Sequence, residues 1–300
     1  MEQPICPCLE LLGRTAKSEC FDSFVIIDCH CHAGEGDGLT GPWDTRAFLK
    51  DFLRWSEKAD ITHTVLFPAF HTDYRLANRA VARIVARHRN RFFGFAFVHP
   101  ERDRGRVVAM VREAVEEHGF VGIKVHRHDA RITREICQVA RSYRLPILYD
   151  VMGEISACEL LATEYPDVQF IIPHLGSFAD DWRAQLAFID PLSRHPNIFT
   201  DTSGVRRFDL LAMALQRAGA GKILFGSDGP WLHPGVELAK IRALELPPEK
   251  SSLVLGGNFL RLIRSTRNKP VADIPKVAAP PIRMRDEFRD PWTSEMVPAL

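Results

Sequence analysis

Phe24-Val25-Ile26-Ile27-Asp28-Cys29-His30-Cys31-His32 is the stretch on which the reading of this chain turns. Four apolar residues rich in β-branched side chains suit a strand buried on both faces. Side chains two apart on a strand share a face, so His30 and His32 project together from its C-terminal end. Neutral imidazoles are common protein ligands for zinc and similar ions, which makes the pair a candidate metal-binding edge. Cys29 and Cys31 alternate with the histidines and face the other way, toward helices packed outside the strand. They are read as reduced packing residues.

Further apolar segments follow at regular spacing. Strands are expected at 25–28, 64–67, 93–98, 121–125, 147–151, 169–172, 198–201 and 223–225. Amphipathic stretches separate them. Leu76, Ala80, Ile84 and Val85 mark one helix face, opposite Arg79, Arg83 and Arg87. Val107, Met110, Val111, Ala114 and Val115 mark a second helix, with Gly119 suited to its stop. Ile132, Ile136, Val139 and Tyr143 mark a third, and Leu210, Leu211, Ala214, Leu215 and Ala218 a later one. Eight strand–helix alternations in one domain-sized chain predict an α/β fold of the closed (β/α)8 barrel type. A doubly wound open sheet is the alternative. It would prefer a glycine-rich loop opening a helix directly after the first strand, and Gly34-x-Gly36-x-Gly38 is not followed by one in register.

The expected organisation is a short extension over 1–22, the barrel over 23–266 and a proline-rich tail over 267–300. The 31 residues from Pro270 hold six of the chain's 20 prolines and no helical period. Lys+Arg 39 against Asp+Glu 38 leaves a formal charge of +1, so no global field favours nucleic acid or membrane as partner. No apolar run approaches the roughly 20 residues needed to span a bilayer. The N-terminus lacks the basic and apolar regions of an export signal, and a cytoplasmic location is expected. Seven scattered cysteines argue against a disulfide framework, and Cys6-x-Cys8 with Cys29 and Cys31 fits no common zinc-ribbon spacing. The expected partner is a small-molecule substrate; a homodimer is compatible with the reading.

In a barrel the active site gathers at the C-terminal strand ends, and the polar residues of this chain gather there. They are His30-x-His32, Gly122-Ile123-Lys124-Val125-His126, Leu148-Tyr149-Asp150, Pro173-His174-Leu175-Gly176 and Gly226-Ser227-Asp228-Gly229-Pro230. Together with Gly257-Asn258-Phe259-Leu260-Arg261-Leu262, these motifs resemble in kind and order the amidohydrolase superfamily. The resemblance is to its amidohydrolase-related branch, which includes decarboxylases of the aminocarboxymuconate-semialdehyde type, and it runs from about Ile26 to Leu262.

The resemblance implies that His30 and His32 are metal ligands and that Asp228 touches both the metal and the reactive water. His174 would ligate a second ion in two-metal members or polarise substrate in one-metal members. Many members carry histidine where this chain has Asp150. Two readings stay open: Asp150 completes a site of two histidines and two carboxylates, or it ligates nothing. Lys124 is either a carboxylated bridge between two ions or a plain ammonium that pairs with Asp150 or an anionic substrate group; the ammonium, and hence one ion, is preferred. Zinc is the first expectation, with manganese, iron or magnesium as alternatives. His126, Trp231 and Arg206 are expected to contact substrate. The implied activity is metal-dependent hydrolysis of a small ester, lactone, amide or cyclic carboxylic acid, with Asp228 as proton shuttle and His174 and Lys124 as oxyanion stabilisers. Non-oxidative decarboxylation is the alternative, and an inactive scaffold barrel the rival from another class.

Overall fold

The computed structural model describes residues 25–39 and 46–270. The extension at 1–22, Cys6, Cys8 and nearly all of the expected tail lie outside the described residues. Nine strands form one sheet. They are β1 (Ile27–Glu35), β2 (Arg46–Ala47), β3 (His63–Pro68), β4 (Phe92–Phe97), β5 (Gly122–His126), β6 (Ile147–Asp150), β7 (Phe170–Ile172), β8 (Ile198–Asp201) and β9 (Ile223–Leu224). The order is β2-β1-β3-β4-β5-β6-β7-β8-β9, parallel throughout except for the antiparallel β1–β2 pair.

The parallel sheet closes on itself. Past β9 the chain runs beside β1: Cys29 N–H donates to Phe225 O at 3.0 Å, Asp228 N–H to His30 O at 2.8 Å and His32 N–H to Gly229 O at 2.7 Å. Eight parallel strands with outer helices therefore make a (β/α)8 barrel. The short β2 hairpin was not anticipated, because two residues carry no periodic signal. Strand β1 also runs further than expected, through both histidines, with a register irregularity between Asp28 and Cys31.

Alternation sorts the side chains into layers. Cys31, Leu66 and Ala96 pack outward against Phe52, Val81, Ala82 and Val85 of the surrounding helices. Burial pushes the Cys29 and Cys31 thiols well above their ordinary range, so both stay protonated packing groups. The Tyr74–Arg87 helix forms as its sequence suggests, but with a rotated face. Tyr74, Ala77, Asn78, Val81, Ala82 and Val85 are buried, while Leu76 is exposed. Asn78 explains the rotation. Its amide exchanges hydrogen bonds with the Phe97 backbone, accepting at 2.9 Å and donating at 2.8 Å, and this fixes a polar residue inside the face.

The Gly256–Arg261 motif is a closure device. Asn258, fully buried, donates to Ala220 O and Ile223 O, both at 2.7 Å, and so holds the entry to β9. Gly256 lies against the start of the first strand, where an added Cβ would stand 2.7 Å from Val25 O. No helix among the described residues is long and apolar enough to cross a membrane.

Candidate metal centre

The two β1 imidazoles are held in one tautomer. His30 Nδ1–H donates to the Asp201 carboxylate at 2.8 Å, and His32 Nδ1–H donates to Pro68 O at 3.0 Å. Each ring then carries its lone pair on Nε2. Burial and the nearby Lys124 lower both pKa values, that of His32 well below the ordinary histidine range, so the rings are neutral. The two Nε2 atoms meet Asp228 Oδ1 at 3.3 Å from His30 and 3.6 Å from His32. Two lone pairs and a carboxylate oxygen converging in a nearly buried place, all within 4.8 Å of one another, form a donor set that a divalent cation fits.

Local backbone geometry makes the convergence possible. Asp228 adopts φ 57°, a left-handed conformation that costs about 1–3 kcal/mol for a residue of this kind and persists only where its surroundings demand it. Here its N–H is tied to His30 O. Gly226 passes so close to Asp201 and His30 that a Cβ would stand 3.1 Å from each of theirs. Asp28 accepts from Ser227 N–H at 2.8 Å, Ser227 Oγ–H at 2.5 Å and His30 N–H at 3.2 Å, stitching β1 to the segment that carries Asp228. Burial outweighs those bonds and lifts the Asp28 carboxyl to about 7.

Asp150 belongs to a neighbouring cluster. One oxygen sits 3.2 Å from His126 Nε2 and 3.5 Å from His174 Nε2, and the other accepts from Met152 N–H at 2.9 Å. It is not among the mutually close donors around His30, His32 and Asp228. Burial alone would raise its pKa, but the two imidazoles hold it well below the ordinary carboxylate range. For His174, burial is outweighed by Asp150, Asp201 and Asp228, which raise it to about 9. His174 Nδ1–H donates to Ser203 O at 2.7 Å, leaving Nε2 toward Asp150. Like Asp228, it has a left-handed backbone, with φ 60°.

Lys124 departs from its expected part. Its side chain is fully buried, and Nζ has no hydrogen-bond partner among the described residues. It lies 5.0 Å from the centre of the Phe67 ring. Burial lowers its pKa against the pull of Asp150, Asp228 and Asp201. His126 has both ring nitrogens engaged, since Nδ1 accepts from His128 N–H at 3.0 Å and Nε2 faces Asp150. Arg206 is 66% exposed and pairs with Asp180 at 2.7 Å, with no contact to the cluster. Trp231 does stand at the site, its ring 4.5 Å from that of His32.

Asp201 and Ser203 escaped the sequence reading. Asp201 spreads its bonds over His30, His174 N–H at 3.3 Å and Ser203 N–H at 3.0 Å, and is wholly buried. A strand-end aspartate in Thr200-Asp201-Thr202-Ser203 was the available signal, the same signal that drew attention to Asp150.

Comparison with known proteins follows the same lines. The Amidohydrolase family model matches residues 27–264. A search of curated proteins finds no match. Among solved structures, 5-carboxyvanillate decarboxylase from Sphingomonas paucimobilis superposes with TM-score 0.65 at 13% identity, over 80% of this chain and 99% of that one. A dihydroxybenzoic acid decarboxylase from Polaromonas sp. JS666, with bound manganese and 2-nitroresorcinol, gives 0.64 at 17%, over 80% and 97%. A probable 2-pyrone-4,6-dicarboxylic acid hydrolase from Acinetobacter baumannii gives 0.62 at 16%, over 80% and 99%. At these identities the likeness is one of fold.

Proposed function

Because this chain belongs to the amidohydrolase family, we propose that it is a metal-dependent hydrolase of a small ester, lactone, amide or cyclic carboxylic acid, built around His30, His32 and Asp228. The observation that carries the reading is the convergence of two unprotonated Nε2 atoms on one carboxylate oxygen, with both Nδ1 atoms already committed. A bound divalent ion lowers the pKa of water from about 16 to about 7 and polarises a carbonyl. Asp228 accepts the proton of the attacking water and returns it to the leaving group. His174, raised to about 9 beside Asp150, brings a positive charge 5.0 Å from the His30 ring, where it favours the oxygen that gains charge. Phe70, 5.0 Å from the His126 ring, and Trp231 offer apolar walls that restrict water.

A second reading, loss of CO2 from an aromatic or unsaturated acid, is supported by the decarboxylases among the structural neighbours and by those same aromatic walls. Zinc is the first candidate ion; the manganese in one neighbour keeps the harder ions in view.

The deciding experiment measures metal content of the purified protein, then follows label from 18O-water and CO2 release over a panel of lactones and aromatic acids. One ion per chain with label in the product supports hydrolysis; CO2 release without label supports the second reading. His30→Ala is expected to abolish metal retention and lower turnover by several orders of magnitude. If His30→Ala turns over as fast as the wild type, catalysis at this metal site falls; if the wild type itself acts on nothing in the panel under any added ion, the scaffold reading replaces both enzymatic ones.

A further inference from the structure

The helix after β9, Pro234–Arg242, reaches back to the turn that follows β8. Lys240 Nζ donates to Thr202 O at 3.1 Å, to Val205 O at 3.0 Å and to the Glu237 carboxylate at 2.6 Å. The same Glu237 oxygen accepts the Gly204 N–H at 2.9 Å. Three bonds from two side chains one helical turn apart, themselves joined by a fourth, thus clamp residues 202–205. Gly204, at φ 62°, takes the left-handed conformation this turn requires. Neither Lys240 nor Glu237 touches the metal centre.

The clamped turn supplies acceptors to both buried imidazoles. Asp201, at its start, holds the His30 Nδ1–H, and the Ser203 carbonyl inside it holds the His174 Nδ1–H. Asp201 is itself locked to the turn through Ser203 N–H and Oγ–H. Moving the turn by a few tenths of an ångström would lengthen both imidazole bonds together. A free neutral imidazole has no such restriction on which nitrogen keeps the proton, and a ligand histidine whose supporting bond is lost binds metal about 10–100-fold more weakly.

We propose that Lys240 and Glu237 are positioning residues: by fixing the 202–205 turn they set the tautomer of the neutral His30 and the ring orientation of His174, and thereby the affinity of the site for its ion. The affinity part rests on the metal reading above, whereas the tautomer part stands without it.

The test uses Lys240→Met, Glu237→Gln and the conservative Lys240→Arg in the full chain. Zinc affinity is measured by competition with a chromophoric chelator. Imidazole tautomers are read from 15N resonances of the metal-free protein, assigned with His30→Gln and His174→Gln. Lys240→Met is expected to weaken zinc binding about 10–100-fold, to move His30 off the Nδ1–H tautomer and to shift the His174 ring resonances; Lys240→Arg should restore most of these. Glu113→Gln, which breaks a charge cluster between two other helices, should leave zinc affinity and tautomers unchanged. Wild-type affinity with unaltered resonances in Lys240→Met would overturn the proposal, as would an equal loss in Glu113→Gln. If Lys240→Met does not fold, Glu237→Gln decides on the same two measurements. A wild-type protein that binds no zinc or other divalent ion sinks the metal reading, while its imidazole resonances still test the clamp.

Discussion

A histidine becomes a metal ligand through what its second nitrogen does. In this protein Pro68 O and Asp201 accept the Nδ1–H groups of His32 and His30, so both Nε2 lone pairs face Asp228. Asp150 stands outside that close set of donors. Its carboxylate sits between two imidazoles, His126 and His174, and stabilises the charged form of the latter. Replacing it with Asn removes the negative charge at nearly constant shape. Asp150→Asn is expected to retain metal at the wild-type level while turnover falls about 10²–10⁴-fold, the scale of a lost acid–base partner. Loss of metal together with turnover would instead place Asp150 in the coordination shell, and metal analysis alongside kinetics distinguishes the two.

At the scale of elements, the barrel's outer helices are joined by charge as well as by apolar packing. Glu113, on the segment that continues the Val107–Arg112 helix, accepts from Arg75 at 2.8 Å and from Arg79, both on the Tyr74–Arg87 helix. Arg79 and Arg75 hold its carboxyl below the ordinary glutamate range. A carboxylate whose folded pKa is depressed adds stability above its unfolded pKa, and that stability is lost as pH falls through the folded value. Glu113→Gln should therefore lower stability by about 1–3 kcal/mol at neutral pH. The gap to the wild type should close on acidification below about pH 4, where the ordinary glutamate titrates. Thermal unfolding across pH 3–7 measures it; a gap that persists at the acid end would mean the cluster acts through packing.

For the molecule as a whole, the closure of β9 onto β1 is the decisive event, since it brings Asp228 to His30 and His32. Asn258 holds that seam from the far end of the chain, filling two backbone carbonyls with one amide. Asn258→Ala removes both of these buried bonds and leaves Ala220 O with only the Ile223 N–H. A loss of roughly 2–4 kcal/mol is expected, a fall in Tm of about 4–16 °C for a domain of this size. Calorimetry reads it directly. Metal affinity should weaken as well, because the segment carrying Asp228 loses its anchor; an unchanged Tm would remove Asn258 from the closure argument.

How far the chain could be read without coordinates follows from the range of the forces involved. Strand order, the alternation of layers and the facing pair His30 and His32 were legible because they are set by local periodicity, which acts over two to four residues. Asp228 was reached through a motif at a strand end, and its place beside the histidines required the barrel to close. The buried face of the Tyr74–Arg87 helix was misread, since an asparagine counts as polar in any periodicity until its backbone partners on β4 are known. Lys124, Asp150 and Asp201 look alike in sequence, as charged residues near the ends of apolar runs. Only the folded protein decided that the first is sealed from solvent, the second lies between two imidazoles and the third accepts the Nδ1 proton of His30. Hydrogen bonds and burial between residues tens to hundreds of positions apart fix those parts, and no local pattern in the chain encodes them.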